Sequence, residues 1–236
     1  MDEIRLSIVV PCYNEEKNIP LILERFNTVI EGHAIEVILV NNGSTDQSSA
    51  MIKKLLPLYP FARCVSIGVN QGYGFGILCG LKEARGEFIG WTHADMQTDP
   101  YDVIKALSLL ETHKLQPNLY IKGSRKGRPF FDTFFTIGMS CFESVYLRTG
   151  LWEINAQPNI FHRSFYATWK NPPHDFALDL YVYYQAKKQH LRLIRLTVQF
   201  PERVHGTSSW NTSFSQKLKF IRRTFAFSYK LKRTLS

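Results

Sequence analysis

LSIVVPCYNE (6–15), VILVNNGSTD (37–46) and EFIGWTHADMQ (87–97) share one plan: an apolar run followed at once by a polar cluster. Short β-branched runs that alternate with helical patterns indicate parallel strands. Polar residues just past their carboxyl ends fall in the crevice where open α/β sheets bind ligands. One crevice is therefore expected to collect Glu15, Asn42, Asp46, Asp95 and Gln97.

Working outward, the segments between these runs have a helical period. Ile19, Ile22, Leu23, Phe26 and Ile30 line one face of a helix over 15–30, with Asn14 as its N-cap. Asp46 caps a second helix, with Met51, Ile52, Leu55 and Leu56 inward, which Pro57 and Pro60 end. A third strand fits Ala62 to Ile67. Asn70 and a glycine-rich turn then lead into a helix through Ala84, stopped at Gly86. A helix over 101–113 starts after Pro100, where Asp99 is the expected N-cap, and a short strand follows over 119–121. Regularity falls over 128–151 while Phe130, Phe131, Phe134, Phe135 and Phe142 accumulate. A helix is expected over 175–188, a late strand over 191–200 and a basic amphipathic tail beyond. No repeat or low-complexity linker divides the chain. The expected architecture is α/β, a mostly parallel central sheet flanked by helices over 1–211, with a C-terminal amphipathic helix over 212–236.

A chain of 236 residues can bury a sizeable core, and a formal charge of +9 points to an anionic partner. Cys12, Cys64, Cys79 and Cys141 lack the CxxC spacing of a zinc site and the pattern of a disulfide framework, which favours a reducing compartment. The opening MDEIRLSIVV is acidic where a signal peptide is basic, and no apolar stretch reaches the ~18 residues of a spanning helix. The expected location is cytoplasmic, peripheral on the inner face of the membrane. Phe214, Leu218, Ile221, Phe225 and Tyr229 recur at helical spacing among Lys217, Lys219, Arg222, Arg223, Lys230 and Lys232. Such a helix suits an anionic lipid surface, and it equally suits packing on its own domain. The aromatics follow helical faces and no RNA-binding motif appears, so nucleic acid is not an expected partner.

The clusters also divide by chemistry. Backbone at Pro11 and Val40, with the side chains of Tyr13, Glu15 and Asn42, can grip a base and ribose, although PCYNE and NNGSTD also read as capping turns. Asp95 and Gln97 offer hard oxygen ligands of the kind that hold Mg²⁺ or Mn²⁺ against phosphates, and they face one way if the backbone between them is extended. His93 beside them reads as a structural hydrogen-bonding group. GYGFGILCG (72–80) departs from GxGxxG, since Ile77 stands where the last glycine belongs. Its expected job is to let a helix start close to a ligand, with Asn70 at the turn, or simply to pack. Asp175 and Asp179, four apart, share a face of the predicted helix, and either could act as a base.

VVPCYNE, VNNGSTD, NQGYGFGILCGLKEARGEFIGWTHADMQTDP, KGSR, INAQPNIFHR and PERVHGTSSW occur in the order seen in inverting family 2 glycosyltransferases. The chain resembles their dolichyl- or polyprenyl-phosphate mannosyltransferase-like branch over residues 6–210. The resemblance implies a GT-A fold, a nucleotide-sugar donor, a divalent metal (Mg²⁺ or Mn²⁺) and a polyprenyl-phosphate, lipid-linked or saccharide acceptor. It places Pro11, Tyr13, Glu15, Val40 and Asn42 around the nucleoside, Asp95 and Gln97 on the metal and diphosphate, and Arg125 and Arg203 near phosphates. Three positions depart from that pattern. Asn41 and Asn42 replace paired aspartates, His93 replaces the first aspartate of the DxD-like motif, and Ser209 and Trp210 stand where the branch has a lysine. A non-catalytic nucleotide-sugar-binding relative is the alternative these departures raise.

Overall fold

In the computed structural model the three quoted runs become three adjacent parallel strands: β1 (Leu6–Cys12) lies between β2 (Ile35–Asn42) and β4 (Phe88–Trp91). The structure describes residues 4–127, 130–201, 203–205 and 214–235, with backbone alone at 130–136, 214–221, 230, 234 and 235. β3 (Ala62–Ile67) adds in parallel outside β2. β5 (Leu119–Lys126), β6 (Asn159–His162) and β7 (Arg192–Gln199) complete one sheet in the order β3-β2-β1-β4-β6-β5-β7. β6 runs antiparallel to both β4 and β5, while β7 is parallel to β5. Every residue of β2 is buried, as a strand covered on both faces requires.

Alternation along β1 sends Ile8 and Val10 to one face and Val9 to the other, and each face has its own core. The first is filled by Ile19, Ile22, Leu23 and Phe26 of α1 (Asn18–Val29), by Ile52 of α2 (Ser48–Leu55) and by Val103, Leu107 and Leu110 of α4 (Tyr101–Thr112). The second takes Ile77 and Leu81 of α3 (Tyr73–Glu83), Phe165 of α6 (Arg163–Ala167) and, from α7 (Leu178–Lys188), Leu178 and the run Leu180 to Tyr184. Both faces are sealed, so the carboxyl rim of the parallel strands is where polar loops gather.

Several boundaries differ from the sequence expectation. α1 begins at Asn18, because Asn14 takes a left-handed φ of 58° and spends its side chain accepting from Thr45 N at 2.8 Å. Asp46 Oδ1 accepts from Ser48 N at 2.9 Å, two residues on, and so braces the start of α2 from outside it. Asp99 does the same for α4, accepting from Tyr101 N at 2.9 Å. α7 starts at Leu178 rather than 175, because the Asp175 side chain accepts from Ala177 N and makes a turn there. Asp175 and Asp179 therefore do not share a helical face. β5 extends to Lys126 because β7 pairs along its whole length.

The irregular stretch expected over 128–151 is largely a helix, α5 (Phe130–Tyr146). Its aromatics recur at intervals of four, the spacing of one helical face, and Phe142 stacks on Tyr146 at 5.6 Å. α8 (Phe214–Leu235) lies against it, with Phe225 against Phe142 at 4.3 Å and Lys232 over the Tyr146 ring at 4.4 Å. The inward face of α8 carries Ser228 and Leu231, whereas Phe225 and Tyr229 of the expected apolar stripe are exposed. The side chains of Phe214, Leu218, Ile221, Phe130, Phe131, Phe134 and Phe135, and residues Ser209 and Trp210, lie outside the described residues. Among the described residues no helix is long and apolar enough to cross a membrane.

Candidate active site

The turns after β1 and β2 are tied to each other. Glu15 N donates to Ser48 Oγ at 2.8 Å, Glu16 N to Asp46 Oδ2 at 3.2 Å and Gln47 N to Glu16 Oε2 at 2.9 Å. Asp46 thus has both oxygens on backbone N–H groups, which, with the Ser48 hydroxyl, outweigh its burial and hold it below the usual carboxylate range. It braces the rim. Pro11 lies opposite Val40 in the β1–β2 register, and Tyr13 is exposed just beyond. Glu15 accepts from Asn18 Nδ2 at 2.5 Å. Burial pushes its carboxyl up, Asn18 opposes, and Asp95 and Arg203 are close enough to act in opposite senses. Two strand ends thus meet at Glu15 and Asp95.

Asn42 closes β2 with its amide fixed in one orientation. Nδ2 donates to Gly72 O at 2.8 Å and to Asn70 Oδ1 at 3.4 Å, and Oδ1 is buried without a partner. Asn70 also accepts from Gly72 N at 2.8 Å, so its side chain shapes the turn into α3. Two glycines allow this crowding. Gly43 has φ 68°, and a Cβ there would stand 2.3 Å from Asn70 N; at Gly74 a Cβ would stand 2.7 Å from the carbonyls of Pro173 and Asp175. The glycine-rich turn therefore serves close packing of α3 on segment 173–175, where Asp175 is exposed.

Beyond β4 the loop 92–98 is closed by a 2.9 Å hydrogen bond between the Thr92 and Thr98 hydroxyls. The backbone between Asp95 and Gln97 is bent, not extended: Met96 has φ 60° and Gln97 N donates to Asp95 Oδ1 at 3.1 Å. The two side chains still converge, because Arg203 spans them, with Nη2 2.9 Å from Asp95 Oδ2 and Nε donating to Gln97 Oε1 at 3.0 Å. Gln97 Nε2 donates in turn to Pro201 O at 3.2 Å, and Asn18 Nδ2 reaches His205 O at 3.4 Å. One carboxylate and one amide oxygen, already drawn to a single cation, fit a divalent ion that completes its shell with phosphate oxygens and water. Among the described residues no three His, Cys, Asp or Glu side chains converge as a self-contained metal site. His93 is not the hydrogen-bonding group expected: its ring packs on Phe200 at 6.0 Å, Nε2 is buried without a partner, and burial lowers its pKa.

Arg125, expected near phosphate, donates through Nε to Glu153 Oε2 at 2.6 Å in a buried pair. Asp179 is buried in the first turn of α7 and accepts from Asn159 Nδ2 at 3.1 Å. Tyr73, at the start of α3, lies within electrostatic reach of both Asp179 and Asp95, and its hydroxyl accepts from Gln157 Nε2. Tyr73 is thus close to both Asp179 and Asp95. Sequence reasoning missed Tyr73, Lys122, Glu153, Gln157 and Asn159. The available signal was a lysine, Lys122, directly after the apolar run 119–121 and still wholly buried.

The sequence profile of glycosyl transferase family 2 matches residues 7–166. The chain belongs to that family. This family 2 glycosyltransferase is 33% identical over 131 residues to the dodecaprenyl-phosphate galacturonate synthase of Rhizobium johnstonii, a match covering 54% of this chain and 38% of that protein. It is 29% identical over 111 residues to the undecaprenyl-phosphate 4-deoxy-4-formamido-L-arabinose transferase of Yersinia enterocolitica, covering 45% and 34% respectively. The matches thus span a little over a third of the curated relatives' length. Its fold matches glucosyl-3-phosphoglycerate synthase from Mycobacterium tuberculosis, solved with UDP, at a TM-score of 0.74 and 16% identity, covering 97% of this chain and 80% of that one. A mannosyltransferase from Pyrobaculum calidifontis, solved with GDP-Man and Mn²⁺, matches at 0.70 and 18% identity, covering 96% and 64%. The family 2 chain therefore has the GT-A architecture of these glycosyltransferases.

Proposed function

We propose that this chain moves a sugar from a nucleoside-diphosphate sugar to a polyprenyl-phosphate acceptor, inverting the anomeric centre. The observation that carries the reading is the convergence of Glu15, Asn42 and Asp95 from three neighbouring parallel strands on one rim, with Arg203 on Asp95 and within reach of Glu15. The names of the similar curated proteins support the acceptor class.

In this reading Pro11, Tyr13, Val40 and Asn42 receive the base and Glu15 the ribose. The unpartnered Asn42 Oδ1 is an acceptor waiting for an N–H. Asp95 and Gln97 hold a divalent ion, which supplies Lewis-acid neutralisation of the departing diphosphate. Arg203 exchanges its carboxylate for phosphate oxygens, a change that keeps its charge-assisted hydrogen bonds. A phosphate acceptor is already anionic and needs orientation rather than a base, so Asp179 serves as an acceptor for a sugar hydroxyl. Asp175, exposed beside the turn into α3, stands at the entrance. Arg125 acts through its pairing with Glu153 at the acceptor side.

The basic, aromatic α5–α8 face is read as a peripheral contact with an anionic membrane, which would present such an acceptor. The test is to incubate the protein with UDP-, GDP- and dTDP-sugars and a polyprenyl phosphate, with Mn²⁺ and with EDTA. Product that forms only with metal supports the proposal. Donor binding without turnover, in either condition, supports the non-catalytic alternative, which His93 in place of a second carboxylate favours.

A further inference from the structure

Beside Tyr73 lies a buried polar cluster that neither a nucleoside nor a diphosphate requires. Lys122 on β5 is wholly buried, and its Nζ donates to Ile154 O at 2.7 Å, Ala156 O at 3.1 Å and Asn159 Oδ1 at 2.9 Å. Three bonds use all three ammonium protons. The amide of Asn159 stands between this cation and Asp179: its Oδ1 takes Lys122 and also the Tyr120 hydroxyl at 2.6 Å, while its Nδ2 donates to Asp179 Oδ1. The charges at its two ends allow the amide only this orientation. On its other side Asp179 faces Tyr73 and the Trp91 indole, whose Nε1 is near enough to stabilise the carboxylate yet makes no hydrogen bond. Gln157, bonded to the Tyr73 hydroxyl through Nε2, keeps a buried Oε1 without a partner. The unpartnered groups are thus one donor and one acceptor beside a held carboxylate, the complement of a sugar hydroxyl.

We propose that Lys122 and Asn159 are positioning residues that keep Asp179 ionised and fixed as the hydroxyl acceptor of the sugar, with Trp91 Nε1 and Gln157 Oε1 completing the subsite. The proposal rests on the transferase reading for its ligand, but not for the coupling between Lys122 and Asp179. A buried ammonium is costly, and an apolar side chain would fill the same strand position without that cost. Burial pushes Asp179 up and Lys122 down, and each charge opposes the other's shift. The other groups facing the pair are Arg125 of β5, Arg195 of β7, Glu153 before β6 and the Tyr73 and Tyr120 hydroxyls. When the ammonium is removed, burial dominates and Asp179 takes up a proton at a higher pH.

The test is a double-mutant cycle of Lys122→Met, Asp179→Asn and the double variant, followed by urea denaturation, together with donor turnover against pH for the variants that fold. Each single variant should lose stability, and the double variant should regain most of the loss because neither charge is left alone. The acid limb of kcat/KM should move up by about one unit or more in Lys122→Met and be absent in Asp179→Asn. An acid limb in Lys122→Met that coincides with the wild type, or losses that simply add in the double variant, would overturn the proposal. Should Lys122→Met not fold, the double variant must; its failure to fold also overturns the idea. A wild-type protein that turns over no donor defeats the transferase reading and leaves the stability cycle to decide the coupling.

Discussion

Asp95 is the residue on which the rim depends, because it is buried, meets Arg203 at 2.9 Å and follows the strand next to that of Glu15. Asp95→Asn keeps the shape and removes the charge. Turnover should fall at least about a hundredfold, the scale of losing one preorganised electrostatic contact, while the melting temperature stays within a few degrees. Wild-type rates in that variant would remove Asp95 from the mechanism. Arg203→Ala separates two roles. The guanidinium occupies the side chains that would hold metal, so Mn²⁺ measured by electron paramagnetic resonance should bind the ligand-free variant more tightly than the wild type, while nucleotide-sugar binding weakens. Equal Mn²⁺ affinity in both proteins would show that Arg203 does not compete for Asp95 and Gln97. Glu15, Asn42, Asp95 and Gln97 were legible because each directly follows an apolar run and parallel strands bring such positions to one rim. Asp179 was named as a candidate base, but its link to Lys122 and Asn159 was not legible: the three lie in a strand, a strand and a helix, far apart in sequence, and meet only through the antiparallel insertion of β6. The pairing of Arg125 with Glu153 was hidden for the same reason, as was the bracing of the turns by Asp46.

At the level of elements, the contact between α5 and α8 holds an unusual carboxyl group. Glu143 is fully buried, and both of its oxygens lie 2.7 Å from Ser228 Oγ, which also donates to Thr224 O at 2.9 Å. One hydroxyl proton cannot serve three acceptors, and a proton on Glu143 relieves the shortage. Burial accordingly raises its pKa to about 7, with Ser228 opposing. The sign follows from that direction. A carboxyl raised above its unfolded value favours folding fully below the unfolded pKa, and the advantage is lost as pH climbs to the folded one. Glu143→Gln, neutral throughout, should therefore be more stable than the wild type by on the order of 1–3 kcal/mol at pH 8 and by much less at pH 5, measured by urea denaturation. A difference that does not change between those pH values would mean that Glu143 titrates normally. Such a contact could not be read from sequence, since α5 itself was hidden among phenylalanines that looked like an irregular cluster. The start of α7 was misjudged because Asp175 forms a turn where a helical period was expected. The strands β1 to β4, by contrast, followed from their β-branched runs, which have no competing local signal.

Over the whole molecule, a charge of +9 has to be reconciled with a rim whose named carboxylates are already matched by Arg203 and Asn18. Part of the excess lies on α8. Arg222, Phe225, Tyr229 and Arg233 follow one another at steps of three, four and four, hence on one face, and all four are exposed, with Arg233 over the Tyr229 ring at 5.7 Å. Phe142 and Val145 of α5 extend the exposed apolar surface beside them. Aromatic rings bordered by guanidinium groups suit the headgroup region of an anionic bilayer, where the rings enter the interface and the charges stay with phosphate. Each basic residue near such a surface contributes about 1 kcal/mol, so Arg222→Gln with Arg233→Gln should weaken binding to phosphatidylserine-containing vesicles roughly thirtyfold. Binding of the wild type should also fall as salt is raised, because screening shortens the reach of those charges. The measurement is co-sedimentation with vesicles of graded anionic content. Because Ser228 and Leu231, which hold α8 in place, are untouched, both proteins should melt alike. Undiminished sedimentation of the double variant would dismiss this face as the membrane contact and leave the excess charge to the phosphates of the donor and acceptor.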